Sequence, residues 1–258
     1  MDCLTGVHSM AGHSKWANIK RQKARVDARK GSLFTKLSRA IIVAARSGLP
    51  DPEANFRLRS AVEKAKAAGM PAENIERAIA KGSGNWTDDS PLEEIRYEGY
   101  GPGGVAVLIE AMTDNRNRTA AEVREAFSKV GGSLGESGCV SWLFRQKGVI
   151  SLEGVTDPEA LLLAVAEAGG EDLKVEGTDA EVYCDYTLLE QVATYLKKEG
   201  YQVQEAAIRW IPSTEVHVED PETAKLVLTL MERLDNLDDV QNVYANFEID
   251  EAVMESLA

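Results

Sequence analysis

The stretch GSGNWTDDSP at residues 82–91 decides how this chain is divided. Eight of its ten residues are Gly, Ser, Asn, Asp or Pro, which favour turns over helices and strands. Apolar residues recur at helical spacing before this stretch, whereas short runs typical of strands follow it. We therefore predict a domain boundary here, with a helical domain over residues 10–86 and an α+β region from residue 88.

The charge of the chain changes sign at the same place. Residues 11–81 hold 16 Lys+Arg and 6 Asp+Glu, a net charge of +10, whereas residues 82–258 hold 13 and 35, a net charge of -22. The whole chain of 258 residues carries -13. Such an asymmetry indicates that one part of the chain contacts a nucleic acid. The alternative is a solvated basic face without a partner.

Gly and Pro divide the basic part into four predicted helices. The second, at about residues 33–47, carries an apolar stripe that includes Leu37, Ile41 and Ala44, and Ser32 is its expected N-cap. The others are expected at about 16–30, 52–68 and 71–81. The first of the four has few apolar anchors, so we expect it to lie on the surface or to become ordered on a partner.

A β-hairpin is predicted around Gly-Tyr-Gly-Pro-Gly-Gly at residues 99–104. This run differs from a phosphate-binding loop because the residues from Val105 continue as a strand and not as a helix. Thr119 and Glu122 have the spacing of a capping box at the start of the next helix. The elements predicted here are strands at about 93–99, 105–112 and 140–144 and a helix at about 119–130.

The remaining elements predict that one domain is inserted into another. Residues 145–209 have the order βαββαβ, which is typical of a ferredoxin-like unit. A strand, a helix and a strand follow, at about 214–218, 221–234 and 240–249. We predict a multidomain α+β fold, with an N-terminal all-helical domain and two α+β domains. The discontinuous one comprises residues 88–144 and 210–258, and the inserted ferredoxin-like one comprises residues 145–209.

The segment of residues 15–30, which we call the basic segment, is the main binding candidate because it holds seven Lys and Arg residues. Lys and Arg neutralise nucleic-acid phosphates without reading bases. Arg116 and Arg118, between a predicted strand and a predicted helix, are placed to bind phosphate at the helix N-terminus. The alternative there is a capped turn in which Asp114 and Asn side chains bond the backbone. The predicted nucleic-acid-binding residues are Lys15, Lys20, Arg21, Lys23, Arg25, Arg29, Lys30, Lys36, Arg39, Arg116 and Arg118.

Other classes of protein fit these residues poorly. The three His and three Cys show no metal-ligand spacing, so we expect no metal, no cofactor and no catalytic residues. Apolar runs such as residues 40–45 are far shorter than the ~20 residues that span a bilayer, and the first ten residues lack the features of a secretory signal. Widely spaced cysteines in odd number favour a reducing compartment, so we expect a cytoplasmic protein.

Five stretches together resemble the YebC/PmpR family of regulatory proteins, whose relatives include the mitochondrial translational activator of cytochrome c oxidase. They are AGHSKWANIKRQKA at 11–24, YEGYGPGGVA at 97–106, TDNRNRT at 113–119, GGSLG at 131–135 with WLF at 142–144, and RWIP at 209–212. The resemblance covers about residue 10 to the end. Family members begin where Met10 stands, so residues 1–9 are either an alternative start or an unrelated extension.

The resemblance implies three domains and a function without catalytic chemistry. Family members are described as transcriptional regulators that bind promoter DNA and as translation factors that help the ribosome through difficult sequences. We expect a non-enzymatic gene-expression regulator that binds ribosomal RNA as a ribosome-associated factor relieving stalling. The alternative is a DNA-binding transcriptional regulator at promoters. We prefer the ribosome because the basic helices suit phosphate tracking better than base reading. A protein-only scaffold would leave the basic part unexplained.

The basic segment predicts a steep salt dependence of binding. If about five of its cations engage phosphates, the logarithm of affinity should fall against the logarithm of salt concentration with a slope of roughly -3.5 on single strands and -4.5 on duplex DNA. A change such as Lys20→Ala should weaken binding to all sequences alike and reduce that slope by about one unit. Anisotropy titrations at several salt concentrations measure both quantities, and a salt-independent affinity would contradict the prediction.

Overall fold

The computed structural model of the chain describes residues 30–84 and 92–256. In chain order the described helices are α1 Lys30–Arg46, α2 Phe56–Ala67, α3 Ala72–Gly82, α4 Arg116–Ser128, α5 Pro158–Ala168, α6 Leu189–Lys198, α7 Pro221–Asp235 and α8 Glu251–Ser256. The strands are β1 Glu93–Tyr100, β2 Ala106–Thr113, β3 Ser133–Leu134, β4 Phe144–Glu153, β5 Asp172–Glu176, β6 Asp179–Cys184, β7 Gln202–Pro212, β8 Val216–His217, β9 Val240–Ala245 and β10 Phe247–Glu248. Helices thus precede mixed regions, and the predicted multidomain α+β fold is confirmed.

The described residues divide into two compact units. One unit comprises residues 146–211, and the other comprises residues 30–84, 92–145 and 212–256. The first unit differs from the predicted insertion by one residue at its start and two at its end. Within the described ranges, no helix has the length and apolar character needed to cross a membrane.

The three N-terminal helices enclose a core of their own. Its eleven buried residues all lie between positions 37 and 78, and Ile41, Leu58 and Ala65 have no exposed surface. Asn55 fixes the junction of α1 and α2, because its side chain accepts from the Leu58 amide at 3.1 Å and donates to the Ala44 carbonyl at 2.9 Å. This N-cap satisfies a free amide of α2 and holds the end of α1 beside it.

The sheet of the discontinuous domain has the strand order β3-β1-β2-β9. β1 pairs antiparallel with β2, from Glu93 opposite Thr113 to Tyr100 opposite Ala106, so the predicted hairpin is confirmed. A single 3₁₀ turn joins the two strands, with Gly103 and Gly104 at φ values of 69° and 76°. Only glycine adopts this left-handed conformation without strain, which explains the glycine run.

The unit of residues 146–211 has the sheet order β5-β6-β4-β7. Counted along the chain, this is the order second, third, first and fourth, with α5 after the first strand and α6 after the third. The predicted βαββαβ order is therefore confirmed, with the strand arrangement of a ferredoxin-like unit.

Two predicted strands have different bounds in the structure. The segment 140–144 is a 3₁₀ turn at Ser141–Leu143, and β4 begins only at Phe144. The predicted strand 240–249 is divided into β9 and β10 at Asn246, whose side-chain oxygen accepts from the Ala106 amide at 2.7 Å. A side chain thus replaces a backbone acceptor at this point of the sheet, which periodicity along the chain does not reveal.

Gly82, the last residue of α3, provides a test of how α3 packs on α1. A Cβ atom at this position would lie 2.5 Å from the Ile42 carbonyl oxygen and 2.6 Å from the Ala45 Cβ. Although Ala favours a helix by about 1 kcal/mol over Gly, this overlap with backbone should outweigh the gain. We expect Gly82→Ala to lower the free energy of unfolding by about 1–2 kcal/mol in denaturant titrations. An increase in stability would show that the two helices have room to separate.

Candidate nucleic-acid interface

The predicted binding residues differ in how far the structure describes them. Of Lys30 only the backbone is described, at the start of α1. Lys15, Lys20, Arg21, Lys23, Arg25 and Arg29 lie outside the described residues. Lys36, Arg39, Arg116 and Arg118 are described, and each forms an ion pair with an acidic residue of the same chain.

One face of α1 lies against an acidic turn, which we define as residues 235–239 between α7 and β9. Ser32 and Lys36 are four residues apart and therefore share this face. Ser32 Oγ donates to Asp238 Oδ1 at 2.6 Å. Lys36 Nζ donates to the carbonyl oxygen of Asp235, and it also lies 4.0 Å from the carboxylate of that residue. The end of α7 thus provides both charged and backbone acceptors to α1.

Arg39 extends this face by a further turn of α1. Its Nη1 donates to the Asp238 carbonyl at 2.5 Å and lies 2.5 Å from Asp239 Oδ1. The side chains of Lys36 and Arg39 are only 13% and 16% exposed. Most of the surface of both cations is therefore covered by the chain's own acidic turn.

Asp239 is the point at which these contacts converge with those of the discontinuous domain, residues 92–145 and 212–256, which we call the sheet domain. Its Oδ2 accepts from Thr119 Oγ1 at 2.6 Å, from Arg118 Nη2 at 2.7 Å and from Thr113 Oγ1 at 3.0 Å. Together with Arg39 these donors surround a carboxylate that is 3% exposed. α1, the end of β2 and the start of α4 are thereby joined through one side chain.

The partners of Asp239 decide its charge state. Burial by itself would raise the pKa of Asp239, because a carboxylate loses its hydration in the interior. The hydrogen bonds from Thr119, Arg118 and Thr113 and the charge of Arg39 outweigh burial and hold the pKa below its ordinary value. Hydrogen bonds to Asp239 and Asp114 raise the pKa of Arg118. The Asp239 carboxylate and the Arg118 guanidinium are therefore charged at neutral pH.

The segment 113–119 contains the contacts of a capped turn. Asn115 is the N-cap of α4, and its side chain accepts from the Arg118 amide at 3.1 Å. Asp114 lies 2.8 Å from Arg118. Arg116 pairs with Glu93 at 2.7 Å and remains 70% exposed. The capped-turn alternative accounts for the contact of Asn115, whereas Asp114 bonds the guanidinium of Arg118 and not the backbone. Arg116 is the cation of this segment with the more accessible side chain.

Two hydroxyl groups that we predicted to cap helices serve this network instead. α4 begins at Arg116, so Thr119 is a fully buried interior residue, and the predicted capping box with Glu122 is wrong. α1 begins at Lys30, so Ser32 lies within its first turn and is not the N-cap. In both cases the hydroxyl donates a hydrogen bond to an acidic side chain more than 100 residues away in sequence.

Helix α2 carries four cations that no sequence motif singled out. Arg57 pairs with Glu94 at 3.0 Å, and Arg59 lies 5.7 Å from the centre of the Phe56 ring. Leu58 and Val62 face the core from the same helix. The charge count of the basic part included these cations, and the structure places them on one helix: Arg57, Arg59, Lys64 and Lys66.

A cleft of about 490 Å³ opens beside Arg39, and its polar lining is Thr35, Ser38, Arg39, Lys81 and Asp114. Charges of both signs line it, so its chemistry does not select an anion. No group of three or more His, Cys, Asp or Glu side chains in residues 30–84 and 92–256 could hold a metal ion.

The sequence GGSLG at 131–135 has the spacing of a nucleophile elbow. That motif needs a strand before the Ser and a helix after it. Here Ser133 follows α4 and lies in β3, so the local structure is the reverse.

Replacement of Asp239 tests the network directly. We expect Asp239→Asn to lower the free energy of unfolding by about 3 kcal/mol at pH 7, because a neutral amide leaves Arg39 and Arg118 without their buried anion. Since the folded pKa of Asp239 lies below the ordinary 3.8, this difference should be complete above that pH and disappear as the pH falls further below it. Denaturant titrations from pH 3 to pH 7 measure it.

The matched control is Asp114→Asn, which removes an exposed partner of the same Arg118. The Asp114 side chain is 43% exposed, so its loss should cost less than about 1 kcal/mol. Equal losses from both substitutions would contradict the central role of Asp239.

Comparisons with known proteins agree with this architecture. The family profile "TACO1/YebC protein N-terminal domain" matches residues 14–85, and "TACO1/YebC second and third domain" matches residues 92–247. A solved structure, the conserved hypothetical protein Aq1575 from Aquifex aeolicus, is 51% identical with a TM-score of 0.82, covering 88% of this chain and 94% of that chain.

Relatives of known sequence match over almost the whole length. A "Probable transcriptional regulatory protein" of Synechococcus sp. (strain JA-3-3Ab) is 97% identical over 249 residues, which are 96% of this chain and 100% of that protein. One from Rippkaea orientalis (strain PCC 8801 / RF-1) is 62% identical over 250 residues, 95% of this chain and 98% of that protein. The two profiles and these relatives establish that the chain belongs to the TACO1/YebC family, as its five motifs indicated.

Proposed function

We propose that this protein is a non-enzymatic regulator of gene expression that binds nucleic acid through its basic helical domain, residues 10–86, and acts as a ribosome-associated translation factor that relieves stalling. The observation that carries the proposal is the segregation of charge, +10 in residues 11–81 and -22 in residues 82–258. A phosphate backbone is attracted by the first part and repelled by the second. The two α+β domains, residues 88–144 with 210–258 and residues 145–209, then position the basic domain.

The names of the relatives support the coarser part of this proposal. The Synechococcus and Rippkaea proteins are both named as probable transcriptional regulatory proteins. Because each aligns with at least 95% of this chain, a role in controlling gene expression applies to the same set of domains. A location in the cytoplasm, and the absence of a cofactor and of a small-molecule substrate, are part of the proposal.

The composition of α2 favours phosphate binding over base reading. Its sequence, FRLRSAVEKAKA, has four cations and no Asn or Gln, the residue types that pair with adenine edges in the major groove. Lys and Arg at such a density neutralise backbone phosphates of any sequence. Folded ribosomal RNA offers phosphates in irregular arrangement, which is the reason for our preference for the ribosome.

Promoter DNA is the alternative partner, and the names of the relatives favour it. Arg also reads guanine in the major groove, so α2 is compatible with duplex DNA as well. The two alternatives predict different observations. A translation factor should sediment with ribosomes from a cell extract, whereas a promoter regulator should protect a defined DNA site.

Charge reversal in the full-length protein tests the proposal. The native protein should sediment with ribosomes at near-physiological salt. Conversion of Lys20, Arg21, Lys23 and Arg25 to Glu should reduce the bound fraction at least about ten-fold, because each reversal replaces attraction to phosphate by repulsion. The control reverses four exposed cations of the acidic domains and should retain most of the binding: Arg124, Lys197, Lys198 and Lys225.

Footprinting on genomic promoter fragments distinguishes the alternative. A defined protected site without ribosome association would favour the promoter regulator. Equal loss of ribosome binding in both charge-reversed proteins would show that net charge, and not the basic segment, governs the association.

A further inference from the structure

The cations of α1 are held by groups that resemble a nucleic-acid backbone in their chemistry. Lys36 and Arg39 contact carboxylate oxygens of Asp235 and Asp239 and backbone carbonyl oxygens of Asp235 and Asp238. Phosphate oxygens accept the same charge-assisted hydrogen bonds from Lys and Arg. The end of α7 adds the negative end of a helix dipole at this position. The acidic turn therefore occupies the positions that phosphates would take on this face of α1.

If α1 separated from the acidic turn, the buried carboxylate of the turn would still have hydrogen-bond donors. Asp239 would lose Arg39 but retain hydrogen bonds from Thr113, Thr119 and Arg118. An isolated buried carboxylate would be costly, whereas one with three donors remains satisfied. Asp239 therefore keeps three donors whether or not α1 is docked.

The helical domain would also keep its core on separation. All eleven buried residues of that core come from residues 37–78, and from the sheet domain only the partly buried Leu92, just before β1, packs against it. The helical domain contacts the sheet domain through hydrogen bonds and ion pairs of Ser32, Lys36, Arg39 and Arg57, to which Leu92 adds one apolar contact. Polar interfaces of this kind are typical of domains that move relative to each other.

We propose that the acidic turn is an autoinhibitory contact, which covers a phosphate-binding face of α1 formed by Ser32, Lys36 and Arg39. Nucleic-acid phosphates compete with Asp235, Asp238 and Asp239 for this face, and their binding separates the helical domain from the turn. The inference rests on the proposed nucleic-acid binding and adds its regulation. Phosphate is the shared chemistry of RNA and DNA, and the two are separate arms of the test.

The test neutralises the turn in the full-length protein. Asp235→Asn/Asp238→Asn removes two carboxylates and retains Asp239, so that the central network remains. Its control, Glu219→Gln/Glu222→Gln, removes the same charge from exposed positions at the start of α7. The probes are a single-stranded RNA and a duplex DNA of equal length, each titrated at several salt concentrations. Thermal unfolding verifies folding, and Asp238→Asn alone replaces the pair if the pair does not fold.

The neutralised protein should bind at least about three-fold more tightly than the native one, because a larger fraction is competent to bind. Its logarithmic salt slope should be steeper by about 1.4 on RNA or about 1.8 on duplex DNA, since two more cations reach phosphates. The probe with the larger gain identifies the nucleic acid that this face accommodates. The control should leave the slope unchanged.

A second pair of substitutions assigns the gain to the two cations. Lys36→Gln/Arg39→Gln should have little effect in the native background, where the turn covers both residues. The same pair should abolish the gain in affinity and slope in the neutralised background. This dependence on background is the signature of a covered binding face.

Three outcomes would overturn the inference. An equal change in the control would assign the effect to net charge. Native binding with no gain on neutralisation would make the turn a purely structural joint, while the proposed function would stand. Failure of every protein, native included, to bind either probe would remove the proposed function and the inference with it.

Discussion

The buried carboxylate of Asp239 is the constraint on which the joint between β2, α4 and β9 depends. A charge removed from water is tolerated only when donors surround it. Asp239 takes its donors from α1, from the end of β2 and from the start of α4, and these elements lie more than 100 residues before it in the chain. Any arrangement that separated β2 from α4 would leave the carboxylate unsatisfied. The side chain thus specifies the joint between β2, α4 and β9.

Buried carboxylates organise other parts of the molecule in the same way. Glu98 is 4% exposed and accepts from the backbone amides of Gly138, Val140 and Ser141. Burial by itself raises the pKa of Glu98, but these three hydrogen bonds and a further one from the Ser141 side chain outweigh burial and lower the pKa. The loop after β3 is therefore held to β1 by a charge. Loops without regular structure need such acceptors, because their amides have no partner in a helix or a ladder.

The unit of residues 146–211 has its own example in Glu181. This residue is 5% exposed and contacts the Tyr183 hydroxyl at 2.7 Å and Arg209 at 3.3 Å. Strongly acidic domains thus use part of their charge internally.

The basic helices and the acidic remainder of the chain also attract each other, because α1 contacts the acidic turn. A polyanion that approaches α1 meets cations that already have anionic partners, and binding there is an exchange of partners.

The sequence by itself determined the kinds of element and their order along the chain. An apolar stripe at helical spacing predicted α1, and Pro and Gly boundaries predicted α2 and α3. The glycine run predicted the hairpin, and the βαββαβ order predicted the ferredoxin-like unit. These features depend on neighbours within a few residues, so local patterns contain them. The strand break at Asn246 was not predicted, because a hydrogen bond from the distant Ala106 amide defines it. The elements β3 and α8 were not predicted because they are very short.

Only the tertiary structure decided what the described candidate residues contact. Ser32 and Thr119 have the local pattern of caps, and Lys36, Arg39 and Arg118 have that of phosphate ligands. Their actual partners lie at residues 235–239, for Lys36 and Arg39 some 199 residues away. A hydroxyl or guanidinium group bonds whichever acceptor the fold brings near, and spacing along the chain has no information about that acceptor. The sequence predicted helix caps and phosphate ligands at these five residues, and the fold determined that each has an acidic partner within the protein itself.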